Sequence, residues 1–126
     1  MKSDPLTSEQ SQRLREGLAL FNSGAFFECH EVLEAVWLDA SGENKVFLQG
    51  LIQVAVSFYH LRRGNFTGSG RLLRAAVEKL SSPAECRRWI DMAGLLEVLQ
   101  PLLETIEAGL ASPDTPAPEM RFVSAL

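Results

Sequence analysis

The chain has 126 residues, of which 46% are hydrophobic and 22% are charged. This length fits a single domain and excludes large barrels, and the apolar fraction is too high for a chain that is disordered throughout. The 16 acidic residues outnumber the 12 Lys and Arg residues and give a formal net charge of -4. Because phosphate binding needs a basic face, this charge argues against a nucleic-acid partner.

Cysteine usage and hydropathy indicate the compartment. Cys29 and Cys86 lack the paired spacing of a zinc site or of a disulfide scaffold, which favours a reduced environment. No apolar stretch follows residues 1–5, so we expect no signal peptide. The longest apolar stretch, residues 46–61, contains several polar side chains and is shorter than the roughly 20 residues that a bilayer span requires. We therefore expect a cytoplasmic protein with no membrane partner.

Apolar periodicity, capping residues and glycine breaks predict five or six helices. The first begins at Thr7 and Gln10, which have the spacing of a capping box. The third is apolar almost all round and is expected in the middle of a bundle. Pro101 predicts a kink or a restart in the last one. The predicted helices cover residues 8–23, 26–40, 43–63, 67–80, 83–90 and 95–108.

A helix, glycine and aromatic pattern occurs around Gly24 and again 40 residues later around Gly64. It predicts an all-α bundle of stacked antiparallel helical hairpins that is similar to tetratricopeptide repeats, although their period is about 34 residues. Alternatively, any two helical hairpins closed by glycine share the pattern. Residues with a predicted structural role at turns are Gly24, Gly50, Gly64 and Asn65.

The domain organisation follows from composition. Residues 1–7 are expected to form an N-terminal tail, and residues 8–110 a single helical domain. Residues 111–126 contain several prolines that cannot sustain a helix, which predicts a flexible tail.

Polar side chains cluster on the second and third predicted helices, where burial favours apolar ones. The second helix carries His30-Glu31-x-x-Glu34, which resembles the His-Glu-x-x-His of zinc proteases with a carboxylate in place of the second histidine. At about 100° per residue, Trp37 shares a face with His30 and Glu34. If the two helices form an antiparallel hairpin, a polar stripe of the third helix faces this cluster, and His60 approaches His30. The candidate site residues are His30, Glu31, Glu34, Trp37, Gln49, Gln53 and His60.

Three functions are compatible with this cluster. The first is a small binding or adaptor module for a small polar ligand or for a protein or peptide partner. The second is a metal-assisted or acid/base hydrolase that uses His30, Glu34 and His60, which would also be the ligands of a divalent metal. The third is a purely structural interaction protein whose hydrogen-bond network fixes helix register. The sequence favours the binding module over an enzyme and assigns no firm cofactor, and it does not specify the oligomeric state.

A resemblance to a known family rests on two blocks and two shorter motifs. The blocks are FFECHEVLE at residues 26–34 and LQGLIQ at residues 48–53, and the motifs are Tyr59-His60 and Gly64-Asn65-Phe66. Together they resemble the bacterial, archaeal and plastid family catalogued as domain of unknown function 309, over about residues 14–80. Ser69 departs mildly from the family pattern, which has Ala there.

The resemblance implies a small all-helical cytoplasmic protein and brings no assigned activity. It does not cover the chain after residue 80. The family pattern carries over to His30, Glu31, Glu34, Trp37, Gln49, Gly50, Gln53, His60 and Gly64.

Overall fold

Helices form where the caps and glycine breaks indicate them. The computed structural model describes residues 4–123. A 3₁₀ turn, Glu85–Trp89, stands between the last two of five α-helices. The predicted all-α class is confirmed, since residues 4–123 contain no strand beyond one isolated bridge between Ile90 and Phe122. The similarity to tetratricopeptide repeats stays a prediction. The helices are α1 Ser8–Asn22, α2 Phe26–Leu38, α3 Gly42–Arg62, α4 Phe66–Leu80 and α5 Met92–Glu107.

The helix ends follow local chemistry. The capping box is confirmed, because the Gln10 amide donates to Thr7 Oγ1 at 3.1 Å and the Thr7 amide donates to Gln10 Oε1 at 2.8 Å. The two glycine turns share one geometry, with φ of 83° at Gly24 and 77° at Gly64. In each, the residue after the glycine donates its amide to the carbonyl five positions earlier at 2.9 Å. This left-handed glycine stop reverses the chain and brings the next helix back onto the previous one.

The apolar third helix lies in the middle, as its sequence predicts. Each helix packs against the next along the chain, so α3 lies between α2 and α4 and also contacts the 3₁₀ turn. Phe58 of α3 meets Phe21 and Phe26 with ring centroids 5.6 and 5.5 Å apart. These rings anchor the α1–α2 hairpin on α3.

Gly50 was grouped with turn residues, and this assignment is wrong because Gly50 lies inside α3. A Cβ atom at this position would lie 3.0 Å from Leu80 Cδ2 and 3.1 Å from Lys79 Cβ. These distances are shorter than ordinary van der Waals contacts. Gly50 therefore lets α3 approach the end of α4 closely.

The region between α4 and α5 differs from the prediction. Residues 83–90 form only the 3₁₀ turn Glu85–Trp89, and α5 begins at Met92, three residues before the predicted start. The Gly94 amide donates to Asp91 Oδ1 at 3.1 Å, and this bond caps the start of α5. The helix continues through Pro101 without a restart.

A buried amide ties three segments together at the start of α3. Asn44 is fully buried. Its Nδ2 donates to the Asp4 carbonyl at 3.0 Å, and its Oδ1 accepts from the Cys86 amide at 2.8 Å. The N-terminal segment and the 3₁₀ turn are therefore held at the same helix end.

The chain after α5 also differs from its composition-based expectation. Residues 111–123 return along the helices, and Met120 is fully buried. The Arg62 guanidinium donates to the carbonyls of Pro113 and Thr115 at 3.0 and 2.6 Å. The domain limits themselves stay a prediction, and the expected tail ends at residues 1–3 and 124–126 lie outside the described residues.

Candidate functional site

The candidate site residues of α2 and α3 lie along the surface between the two helices. His30 Nε2 lies 3.3 Å from Glu34 Oε2, with the imidazole 26% exposed and the carboxylate 52% exposed. The side chains of Trp37, Gln49, Gln53 and His60 are half-buried, and Glu31 is exposed. The cluster is therefore partly open to solvent.

A small pocket brings the two histidines of the chain together. It has a volume of about 130 Å³ and is lined by Phe26, Phe27, His30, Val56, Tyr59 and His60. The Phe27 ring lies 5.9 Å from the Tyr59 ring and 5.5 Å from the His30 imidazole, between centroids. The walls are chiefly aromatic, and Phe27 remains 50% exposed.

Asn65 fixes the tautomer of His60. The Asn65 Oδ1 atom accepts from the Gly68 amide at 3.0 Å, which caps α4 and leaves the Asn65 Nδ2 group as a donor. Nδ2 lies 3.3 Å from His60 Nδ1. Because an amide nitrogen can only donate, neutral His60 accepts at Nδ1 and carries its proton at Nε2.

Three covered polar atoms of the cluster have no hydrogen-bond partner within residues 4–123. They are His30 Nδ1, Trp37 Nε1 and Gln53 Oε1. The Lys45 ammonium lies 4.6 Å from the centre of the Trp37 ring, over its face, so it does not satisfy the indole N–H. Leaving such an atom unpaired costs about 1–3 kcal/mol, whereas a network that exists to fix register would pair it.

Arginines from the end of α3 cover part of the aromatic surface. The Arg63 guanidinium lies 4.6 Å from the centre of the Tyr59 ring. Arg62 lies over Phe26 at 5.6 Å while it binds the carbonyls of the C-terminal segment. These cations already occupy ring faces, and they disfavour a cationic ligand.

Metal ligation was the alternative role of His30, Glu34 and His60. Within residues 4–123, no three His, Cys, Asp or Glu side chains are grouped closely enough to hold a metal ion. Cys29 next to His30 is buried, and burial raises the pKa of its thiol to about 12 although a backbone hydrogen bond at Phe21 opposes the shift. The thiol is therefore neutral at physiological pH.

The sequence did not single out the pocket walls. Phe26, Phe27 and Tyr59 entered only as part of the motifs that carry the family resemblance. Their only local signal is position, since Phe27 lies three residues before His30 and Tyr59 immediately precedes His60. Residues three apart share a helix face, so an aromatic ring next to a half-buried histidine could have been added to the candidates.

A larger cleft of about 670 Å³ lies between residues 4–13 and the end of α2. It contains none of the candidate site residues. Its walls include exposed polar side chains such as Thr7, Glu9 and Asp39, and it adjoins the point where the described chain begins. The smaller pocket is therefore the better candidate site.

Comparisons with known proteins agree with the resemblance. The model of the family described as Domain of unknown function (DUF309) matches residues 14–72, which confirms the resemblance over that range. The chain is 38% identical over 85 residues to the uncharacterized protein YpuF of Bacillus subtilis (strain 168), covering 65% of this chain and 49% of YpuF. It is 28% identical over 103 residues to an uncharacterized protein of Aquifex aeolicus (strain VF5), covering 81% of this chain and 31% of that protein.

The chain therefore spans half or less of the length of these curated relatives. Their descriptions, and that of the family, establish no biochemical function. None of the helices within residues 4–123 has the length and apolarity needed to cross a membrane.

Proposed function

We propose that this protein is a polypeptide-binding module whose α2–α3 surface receives one apolar or aromatic side chain of a partner in the pocket beside His30. The observation that carries the proposal is the pocket itself, an aromatic recess of about 130 Å³ between two histidines. Sites for small-molecule ligands and cofactors usually measure about 300–1,000 Å³. A cavity of about 150 Å³ holds a benzene ring, so this pocket has the size of a single side chain.

The surroundings of the pocket also favour a polypeptide partner. Phe27, a wall of the pocket, is a large apolar side chain that remains 50% exposed. Interfaces concentrate binding energy in a few aromatic anchors seated in pockets and surrounded by polar groups. Glu34 on α2 and Arg63, which follows the last residue of α3, supply charges of both signs near the aromatic pocket.

The two alternatives have less support from the geometry. A hydrolase that uses His30 needs an accessible nitrogen on this imidazole, but Nε2 lies 3.3 Å from Glu34 Oε2 and Nδ1 is covered by neighbouring atoms. A purely structural network should pair its buried polar atoms, but His30, Trp37 and Gln53 each keep one atom that is unpaired within residues 4–123.

The test is a titration of the full, isotope-labelled chain with N-acetylphenylalaninamide, monitored by NMR. We expect saturable shifts at Phe27, His30, Val56 and Tyr59, while N-acetylglycinamide at the same concentrations leaves these signals in place. Phe27→Ala should weaken binding at least about fivefold, because it removes a wall of the pocket.

The matched control is Leu38→Ala, which removes another exposed apolar side chain of α2, one that lines the larger cleft instead of the pocket. It should bind the probe as the unmodified chain does. The proposal is wrong if the phenylalanine probe shifts no more signals than the glycine probe, or if Leu38→Ala weakens binding as much as Phe27→Ala.

A further inference from the structure

The C-terminal segment lies on the helices as an extended peptide. Pro118 and Met120 are buried and Phe122 is half-buried, while residues 119, 121 and 123 are exposed. An alternation with a period of two is typical of a strand seated on a surface by one face. The segment passes α1 and the 3₁₀ turn, and none of its residues lines the pocket between α2 and α3.

Two pairs of hydrogen bonds hold the main chain of this segment. The side-chain amide of Asn22 binds Met120 twice, accepting from its N–H at 2.7 Å and donating to its carbonyl at 2.9 Å. The Asp91 amide donates to the Arg121 carbonyl at 3.0 Å, and the Val123 amide donates to the Trp89 carbonyl at 2.7 Å. All four bonds involve main-chain groups of the segment, so any extended peptide could form them.

Two side chains of the segment make contacts that depend on residue type. Met120 is fully buried, and Phe122 stacks on Trp89 with ring centroids 5.5 Å apart and planes 21° apart. The Arg15 guanidinium lies 5.1 Å from the centre of the Phe122 ring. Recognition of an added strand commonly combines main-chain hydrogen bonds with recesses for alternate side chains.

We propose that the groove between α1 and the 3₁₀ turn is a peptide-binding surface, which the chain's own residues 117–123 occupy. The partner that it fits is a protein with an exposed extended segment carrying apolar side chains at alternate positions, as Pro118, Met120 and Phe122 do. No residue of the segment lines the α2–α3 pocket, although Pro118 lies near Phe26, which is a wall of that pocket. A tethered segment competes at an effective concentration of about millimolar, so a partner gains access when the tethered segment is released.

The test uses a fluorescent peptide of residues 114–123 and the full chain carrying Met120→Asp. A carboxylate at this buried position disfavours docking of the tethered segment and opens the groove. By fluorescence anisotropy, the peptide should bind this variant at least about tenfold more tightly than it binds the unmodified chain. Adding Asn22→Ala to the variant should lower the affinity for the peptide at least about fivefold, because two hydrogen bonds to the peptide main chain are lost.

A second protein covers the case in which Met120→Asp does not fold. A protease site inserted between residues 111 and 112 is cut in the folded protein, and the free segment should then exchange with the labelled peptide. In the control peptide, the residues equivalent to Met120 and Arg121 are swapped in order, so the arginine takes the position that faces the groove. The proposal is overturned if folded Met120→Asp protein or cut protein binds no peptide saturably, or if the control peptide binds equally well.

Discussion

Replacing Gly50 by alanine tests how tightly α3 and α4 pack. The added Cβ would lie 3.0 Å from Leu80 Cδ2 and 3.1 Å from both Leu80 Cγ and Lys79 Cβ. Leu80 is fully buried and has little room to change rotamer. Because Lys79 Cβ is fixed to the helix backbone, the end of α4 must move outward by a few tenths of an ångström.

Two opposing effects set the change in unfolding free energy. Alanine in a helix interior is favoured over glycine by about 0.5–1 kcal/mol, whereas overpacking a core contact costs about 1–3 kcal/mol. We therefore expect Gly50→Ala to destabilise the protein by about 1 kcal/mol, which lowers the Tm of a domain of this size by about 4 °C.

Urea unfolding followed by circular dichroism measures this change. Gly70→Ala is the matched control, since its Cβ would meet a single side-chain atom, Ile106 Cγ2 at 3.2 Å, whereas the Cβ at position 50 would meet three atoms, one of them fixed to a helix backbone. The control should be neutral or slightly stabilising. In a Leu80→Ala background, Gly50→Ala should lose most of its cost, because two of the three close contacts are removed. If Gly50→Ala alone stabilises the protein as much as Gly70→Ala does, the proposed close approach of the helices is wrong.

Three further predictions follow from the described contacts. Glu34→Gln should change the unfolding free energy by less than about 0.5 kcal/mol, because half-exposed polar pairs four residues apart contribute little. Glu9→Gln, in the exposed pair with Arg13, should have an equally small effect. A loss above about 1.5 kcal/mol at Glu34 in the same urea assay would favour a structural role. Asn44→Ala should destabilise by about 1–3 kcal/mol, since the buried Cys86 amide and the Asp4 carbonyl lose their partner, and an effect below about 0.5 kcal/mol would contradict this geometry. Burial raises the pKa of the Cys29 and Cys86 thiols from an ordinary value of 9.0 to about 12, so a thiol reagent at pH 8 should react only as fast as the protein unfolds. The unfolded thiols lose their protons first, so stability should fall as the pH rises from about 9 towards 12, and rapid labelling of the folded protein would contradict the burial.

The helices were predictable where their signals are local. The capping box at Thr7 and the glycine stops at Gly24 and Gly64 specify helix ends within one or two residues, because each signal involves groups no more than five positions apart. The region before α5 was not predictable in this way. Ile90 pairs with Phe122, 32 residues later, and no pattern among neighbouring residues of the sequence predicts such a contact.

The candidate site, too, was predictable only where its signals come from residues close together in sequence. The polar stripe on α3 and the His30–Glu34 spacing are helical patterns, and the antiparallel hairpin that they imply does place His30 and His60 at one pocket. Gly50 could not be assigned from its own helix, since its role depends on Leu80 of α4. Whether the pocket binds a partner stays a proposal for the NMR titration to decide.

The pair of hydrogen bonds between the Asn22 side chain and the Met120 main chain influences the order in which the chain folds. It joins residues 98 positions apart, whereas the turns at Gly24 and Gly64 join close neighbours. Contacts between distant residues form slowly, because the intervening chain must be ordered first. We expect the helical hairpins to assemble early and the segment around Met120 to dock last. During synthesis, the groove beside α1 would therefore stay open until α5 has been made, an interval in which other extended segments could enter it.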